Sequence, residues 1–240
     1  VVIHEENKPY LDYQMRSVSF LKDGKEILFR SERNGWGHYY LYDTATGNLK
    51  NQVTDGTWVA GPIAKIDTVG RKFYFYGYGR EKGIDPYYYI LYEAQLDRPN
   101  AVRLLTPENA SHDVSISPSY RYMVDSYSTV SQEPVNVVRN RNGKVIMTLE
   151  KPDLQPVYEM GWKAPERFKV KAADGVTDLY GVMWKPADFD STKVYPIISN
   201  VYPGPFFEYV PTRFTINDVY NTRLAQLGFI VITVGHRGGT

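Results

Sequence analysis

The sequence predicts a mainly β chain whose C-terminal third changes to a mixed α/β pattern. The 240 residues include 21 tyrosines and 10 phenylalanines, and aromatic residues favour the pleated, half-buried surface of a β-sheet. Short strand patterns recur about every 45 to 50 residues as far as residue 155, which is a typical repeat length for four-stranded units. Beyond residue 166, a helical pattern lies between apolar strand patterns.

Three repeated units carry the β prediction. Each opens with two strand patterns around a tight turn, at residues 18–29, 63–75 and 114–124. Two further strand patterns follow in each unit, at residues 38–42 and 48–53, 87–93 and 101–105, and 135–139 and 144–149. In the third unit they are joined by Asn142-Gly143, a strong hairpin signal. Four short strands per unit are typical of a β-propeller blade, and an ordinary β-sandwich is the alternative. Since closed propellers have about four to eight blades, this interpretation expects further blades before the first residue.

Prolines mark the change of pattern after the third unit. Three of them lie between residues 152 and 165 and interrupt the strand period, which is typical of a connecting segment. We therefore predict the C-terminal blades of a β-propeller at residues 1–155, a linker at 156–166 and a second domain at 167–240.

The second domain combines strand patterns with one helix. Residues 167–171 and 178–185 alternate around a turn, and 195–202 form a continuous apolar strand pattern. Residues 215–227 place apolar side chains on one helical face, and a glycine follows at the C′ position. Residues 229–234 predict a strand buried on both faces. This order is that of the N-terminal part of an α/β-hydrolase domain. The apolar residues of the helical face are Ile216, Val219, Leu224 and Leu227.

Charge and composition exclude several classes of function. The formal net charge is +1, so neither nucleic acid nor an anionic membrane surface is an expected partner. Without cysteine there are no disulfides and no thiolate metal sites, and we predict no cofactor and no metal site. No apolar run reaches the roughly 18 residues of a membrane span. The chain begins without Met or a signal-peptide pattern, so we expect both ends to be cut from a longer chain.

Four segments resemble a known family of enzymes. Two lie in the repeated units, at residues 31–43 and 105–118. Two lie in the second domain, at 195–205, which contains Tyr-Pro-Gly-Pro, and at 228–239, a strand pattern followed by a glycine turn. Together they closely resemble the dipeptidyl peptidase IV branch of the prolyl oligopeptidase family of serine peptidases. Gly235-His236 departs from the Asp-Gly or similar pair that is usual in that family.

The resemblance implies the activity of a longer protein. It implies a serine exopeptidase with an N-terminal propeller and a C-terminal hydrolase domain, which releases dipeptides from peptide N-termini, often after proline. In such hydrolases the catalytic serine precedes the acid and the histidine, and the serine lies in Gly-x-Ser-x-Gly. That pentapeptide is absent here, so we expect the triad beyond Thr240 and no activity from this chain alone. The resemblance further implies peptide substrates, a homodimeric parent, and a periplasmic or secreted location.

Tyr202 is the predicted catalytic residue of this chain. In the resembling family, the tyrosine of the Tyr-x-Gly-Pro loop donates its hydroxyl to the oxyanion of the tetrahedral intermediate. A phenol is neutral at pH 7 and remains a hydrogen-bond donor. Its place at the carboxyl end of a strand is where open α/β sheets bind ligands. The alternative is a tyrosine packed in the core.

The other candidates are weaker. The resemblance places an aromatic residue of the substrate pocket near Tyr13, with simple packing as the alternative. The family binds the substrate amine through paired glutamates, but Glu5-Glu6 matches the end of a preceding blade, so we predict a solvated surface pair. His112-Asp113 fits a turn or a strand ladder. His236 precedes any possible nucleophile and therefore fits a loop position.

Two rival functions stay open at this stage. A non-catalytic propeller-type binding module would explain the missing nucleophile, although a hydrolase-like beginning has no use in such a module. Within the enzymes, a tripeptidyl or acylaminoacyl peptidase would share the same fold. Substrate length, the residue preferred before the cleaved bond, and the number of blades are open.

Overall fold

The computed structural model describes residues 2–6, 15–202, 209–218 and 220–236. The chain divides into two compact units. The first comprises residues 1–126 and 137–148, and the second comprises 127–136 and 149–240. The predicted boundaries at residues 155 and 167 stay predictions. No helix of the described ranges has the length and apolar character needed to cross a membrane.

The first sheet is a four-stranded antiparallel meander. Its strands are β1 (Val18–Leu21), β2 (Glu26–Ser31), β3 (His38–Asp43) and β4 (Leu49–Gln52), in that order. The β1–β2 turn contains Gly24 with φ +84, which suits a residue without a Cβ.

The second sheet repeats this order. Its strands are β5 (Val59–Asp67), β6 (Lys72–Tyr78), β7 (Ile90–Gln95) and β8 (Val102–Leu104). The sequence pattern predicts the third of these from Tyr87, but β7 begins only at Ile90. The reason is a turn at Asp85, whose carboxylate accepts the Tyr87 N–H at 3.0 Å.

The third sheet contains β9 (Ser111–Ile116), β10 (Tyr122–Ser128), β11 (Val135–Asn140) and β12 (Val145–Glu150), again with sequential neighbours paired. The predicted hairpin turn joins β11 to β12, and Gly143 has φ +84. An ideal Cβ on Gly143 would lie 2.2 Å from the Leu105 carbonyl oxygen. This turn therefore requires glycine both for its conformation and for its close approach to the second sheet.

Apolar side chains pack between successive sheets. Leu28 and Tyr39 of the first sheet share one buried cluster with Phe73 and Phe75 of the second. Tyr39 meets Phe73 edge-on at 5.0 Å between ring centroids, an arrangement worth about 0.5–1.5 kcal/mol beyond the buried area. A second cluster joins the second and third sheets. Its buried members are Tyr74, Leu91, Leu105, Val114 and Met123. Three four-stranded sheets stacked in series are propeller blades and not the two layers of a sandwich, so this part of the fold prediction is confirmed.

A buried ion cluster also joins the first two blades. Glu26 is 2% exposed, and its carboxylate pairs with Arg71 at 2.6 Å and with Lys50. Arg71 reaches further to Asp97, whose Oδ2 accepts from Nε at 2.8 Å. Burial alone would raise the pKa of Glu26, but hydrogen bonds from Lys50, Arg71 and Lys22 outweigh burial and lower this pKa to about 2.

We expect Glu26→Gln to lower the free energy of unfolding by about 2 to 3 kcal/mol at pH 7. A depressed carboxyl pKa stabilises the folded state above the unfolded-state pKa, near its ordinary value of 4.5, and this contribution is lost as the pH falls towards 2. The difference between wild type and variant, measured by urea denaturation, should therefore shrink between pH 5 and pH 3. Lys169→Gln, which removes an exposed ion pair to Asp178, is the control and should lower the free energy of unfolding far less than Glu26→Gln does. A difference for Glu26→Gln that stays constant with pH would contradict this assignment.

The second unit contains a mixed sheet. Its strands are β13 (Glu166–Lys171), β14 (Asp178–Trp184), β15 (Ile197–Ser199) and β16 (Ile230–Val234), in the order β13-β14-β16-β15. The β13–β14 and β14–β16 pairs are antiparallel, and β15 runs parallel to β16. Two short helices, α1 (Gln155–Glu159) and α2 (Asn221–Gln226), lie in the same unit.

The predicted helix at residues 215–227 was too long. Among the described residues of that range only α2 is helical, and Val219 of the predicted apolar face lies outside the described residues. Just before the helix, the Asp218 carboxylate accepts the Asn221 N–H at 3.2 Å. Leu224 packs on the core of the unit, but Leu227 is 74% exposed. Gly228 has φ +96 and occupies the predicted C′ position.

Candidate functional site

The carboxyl ends of β15 and β16 form the edge at which the candidate site lies. Parallel neighbours end on the same side of a sheet, and open α/β sheets bind ligands outside those ends. After Ser199 the chain leaves the sheet, and the Asn200 N–H donates to the Ile232 carbonyl at 2.8 Å. Tyr202 follows two residues later. Tyr202 therefore lies at the beginning of the loop between β15 and α2.

Tyr202 is accessible and not packed in a core. Its side chain is 52% exposed, and its ring stacks on Tyr209 with 5.6 Å between centroids and 27° between planes. Stacking on Tyr209 restrains the ring. This placement suits a hydrogen-bond donor, while the catalytic role of Tyr202 stays a prediction.

A cavity of about 440 Å³ lies beside this loop. Its walls include the apolar side chains of Ile198 and Leu224, the rings of Tyr209 and Tyr220, and the polar Asn200. Pockets for small molecules and peptide side chains usually have about this volume and the same combination of apolar walls with a few polar groups. The edge therefore offers both a hydroxyl donor and a binding surface.

Three side chains form a hydrogen-bonded chain behind the loop. Asn200 Nδ2 donates to Asn221 Oδ1 at 2.7 Å, and Asn221 Nδ2 donates to Asp218 Oδ2 at 3.0 Å. Asn221 is only 5% exposed. The sequence pattern did not single out these residues. Two sequence signals could have identified them: Asn200 follows an apolar strand, and Asn221 begins a helix.

The other predicted residues lie elsewhere. Tyr13 falls outside the described residues. Glu6 is exposed, but Glu5 differs from the predicted solvated pair, because it accepts hydrogen bonds from Ser31 and from Arg33 at 3.4 Å. His236 is half-buried just beyond the end of β16.

His112 belongs to a buried charged cluster. Its Nδ1 lies 2.9 Å from Asp125 Oδ2, and both side chains are fully buried, whereas the adjacent Asp113 is exposed. Arg139 donates to Asp125 at 2.7 Å and to Glu108 at 2.7 Å. The predicted ladder position of His112 in β9 is confirmed, but its partners come from other segments.

This cluster also has the donor types of a metal site. One ligand atom from each of Glu108, His112 and Asp125 lies within 4.8 Å of the other two. The guanidinium of Arg139 pairs with both carboxylates, and its positive charge would repel a cation at this place. We therefore assign the cluster to the stability of the third blade.

The first blade has a buried histidine of its own. His38 Nδ1 lies 3.1 Å from the Thr54 hydroxyl, and its Nε2 lies 2.9 Å from the Gly56 carbonyl. Burial lowers the pKa of His38, and the Gly56 carbonyl partly offsets that shift. The same hydroxyl of Thr54 accepts the Tyr39 N–H. These bonds join the beginning of β3 to the segment that follows β4.

Comparison with known proteins identifies the family. The profile of the dipeptidyl peptidase IV N-terminal region matches residues 1–134. The chain belongs to the dipeptidyl peptidase IV family. The resemblance seen in the four sequence segments is therefore confirmed, and the matched region is the one that holds the blades of this family.

Two relatives and two solved structures show the extent of the likeness. Human dipeptidyl peptidase 8 is 26% identical over 255 residues, which cover 89% of this chain and 27% of that protein. A probable dipeptidyl-aminopeptidase B of Aspergillus oryzae is 33% identical over 153 residues, covering 62% of this chain and 17% of that protein. The crystal structure of Porphyromonas gingivalis dipeptidyl peptidase 4 matches with a TM-score of 0.73 at 24% identity, over 92% of this chain and 30% of that one. The crystal structure of a putative dipeptidyl aminopeptidase IV from Bacteroides ovatus matches with a TM-score of 0.71 at 26% identity, over 93% of this chain and 34% of that one.

The chain thus spans about a third or less of the length of these relatives. These comparisons show the family and the blade fold of this chain. The activity, substrates and partners of the full-length protein are proposed below.

Proposed function

We propose that this chain is part of a serine exopeptidase that releases dipeptides from the N-termini of peptides, often after proline. In this proposal the blades restrict access to the site and orient the peptide, and the second unit begins an α/β-hydrolase domain. A homodimeric parent in the periplasm or outside the cell belongs to the same proposal, which the resemblance alone supports.

The topology of the second unit supports the hydrolase part. Its first two strands are antiparallel, and its third strand, β15, occupies the edge beside the fourth, β16. In α/β-hydrolases, the loop between the third strand and the first helix supplies a donor to the oxyanion hole. Here that loop runs from β15 to α2 and contains Tyr202.

The position of Tyr202 is the observation that carries the proposal. It lies in the loop after the third strand, next in sequence to Val201, which lines the cavity, and its half-exposed ring stacks on Tyr209. A preorganised donor at the site of a developing oxyanion is typically worth about 3–4 kcal/mol of transition-state stabilisation. The nucleophile, the acid and the base of the triad would come from outside this chain, so the chain by itself is expected to be inactive.

The test is turnover by the full-length gene product. We expect purified enzyme to release a dipeptide from a substrate with a free N-terminus and proline at the second position, and to lose this activity after treatment with a fluorophosphonate that reacts with activated serines. The same peptide with an acetylated N-terminus is the control and should not be cleaved. Release of tripeptides or of acetylated residues would favour the rival peptidases, and no turnover of any peptide would contradict the proposal.

A further inference from the structure

The Asp218–Asn221–Asn200 chain has a fixed direction. An ionised carboxylate only accepts hydrogen bonds, so Asn221 must turn its Nδ2 towards Asp218. Its Oδ1 then faces Asn200, and Asn200 must present its own Nδ2 to it. One carboxylate therefore sets the orientation of two side-chain amides in sequence.

This chain of bonds joins the two ends of the loop that carries Tyr202. Asn200 directly follows β15, and its backbone N–H is held by the sheet at Ile232. Asn221 is the first residue of α2, and its N–H donates to the Asp218 carboxylate at 3.2 Å. The strand end and the helix start are thus held together by side chains, with Tyr202 two residues from one of the two anchors.

A buried amide at this place is costly unless both of its ends are paired. Asn221 is 5% exposed, and burying an amide without hydrogen-bond partners destabilises the folded state. An apolar residue would fill the same space without that cost, but it would leave the strand end and the helix start unconnected. The network therefore specifies geometry at the end of β15.

We propose that Asn221 is a positioning residue for Tyr202 and acts through Asn200. This inference rests on the proposed function, because it concerns the placement of the oxyanion donor. Asn221→Ala removes the acceptor of Asn200 and the partner of Asp218, and the end of β15 loses its link to α2. A reacting group displaced by about 1 Å can cost about a hundredfold in rate. Since the donor acts in the transition state, the loss falls on kcat and not on KM.

The experiment is a double-mutant cycle in the full-length enzyme, with kcat and KM measured for dipeptide release. The variants are Asn221→Ala, Tyr202→Phe and the two together. We expect Asn221→Ala to lower kcat about a hundredfold with tyrosine at position 202, and to change kcat less than about threefold with phenylalanine there. An equal loss in both backgrounds would show a structural role only and would overturn the inference. An unchanged kcat in the single variant would overturn it as well.

Two further variants keep the result interpretable. Asn200→Ala breaks the same link at a half-buried position and should reproduce the kcat loss if Asn221→Ala fails to fold. Asn217→Ala removes an exposed amide of the same segment and is the matched control. The proposed function has its own readout in Tyr202→Phe. If Tyr202→Phe keeps full kcat, the oxyanion role of Tyr202 fails and the positioning role of Asn221 fails with it. If Tyr202→Phe loses kcat but Asn221→Ala does not, only the positioning role is overturned.

Discussion

Replacing Tyr202 by phenylalanine in the full-length enzyme should lower kcat about 10²- to 10³-fold, the range found when one donor of an oxyanion hole is removed. The change deletes only the hydroxyl. The ring, its stacking on Tyr209 and the loop conformation should persist, because phenylalanine stacks at the same distance. An interaction made only in the transition state lowers kcat and kcat/KM together, so KM should change little.

Steady-state kinetics with a chromogenic dipeptide substrate measures this effect. Tyr158→Phe is a suitable control, because it removes a hydroxyl from another exposed tyrosine of the same unit, whose ring contacts a different ring, Trp162, at a tilt. A Tyr202→Phe enzyme with full kcat would show that Tyr202 is not the oxyanion donor. A rise in KM at constant kcat would instead assign Tyr202 to substrate binding.

Local signals explain why the blades were predictable. A strand has a period of two, and tight turns depend on a few residue types, so both are visible in a short window of sequence. The Asn142-Gly143 turn is the clearest case, since its glycine has a positive φ in the structure. The helix after β15 was overestimated for the same reason. The apolar spacing was visible in the sequence. The hydrogen bond from the Asn221 N–H to the Asp218 carboxylate, which lies just before α2, was not.

Long-range polar pairing could not be predicted from one sequence. Glu26 and Arg71 are 45 positions apart and meet only because the first two blades stack. His112 is adjacent to Asp113 in sequence, yet its partner is Asp125 on the neighbouring strand. For the candidate site, the motif identified Tyr202, whereas the Tyr202–Tyr209 stacking and the Asn200–Asn221 hydrogen bond join residues that are apart in the sequence.

The buried cluster around Arg139 carries the largest expected effect on stability. Arg139 is 1% exposed and bonds Asp125, Glu108 and the Gly143 carbonyl. Arg139→Met removes the guanidinium and leaves the fully buried Asp125 with His112 as its remaining partner in this cluster. Removing one partner of a buried ion pair typically costs about 3–5 kcal/mol, because the other charge stays buried and uncompensated. We expect a loss of unfolding free energy in that range.

The loss of unfolding free energy in Arg139→Met should come from the buried Asp125 carboxylate that has lost its counter-charge, and not from the loss of the arginine side chain itself. If so, removing Asp125 as well should restore part of the stability. The double variant Arg139→Met with Asp125→Leu should be more stable than Arg139→Met alone, since apolar replacements of buried ion pairs are often neutral or stabilising. Urea denaturation gives the free energies, and hydrogen exchange of the β10 and β11 amides reports whether the opening is local to the third blade. A double variant less stable than either single variant would mean that the cluster stabilises the blade through its hydrogen-bond geometry, and that Arg139 is more than a counter-charge.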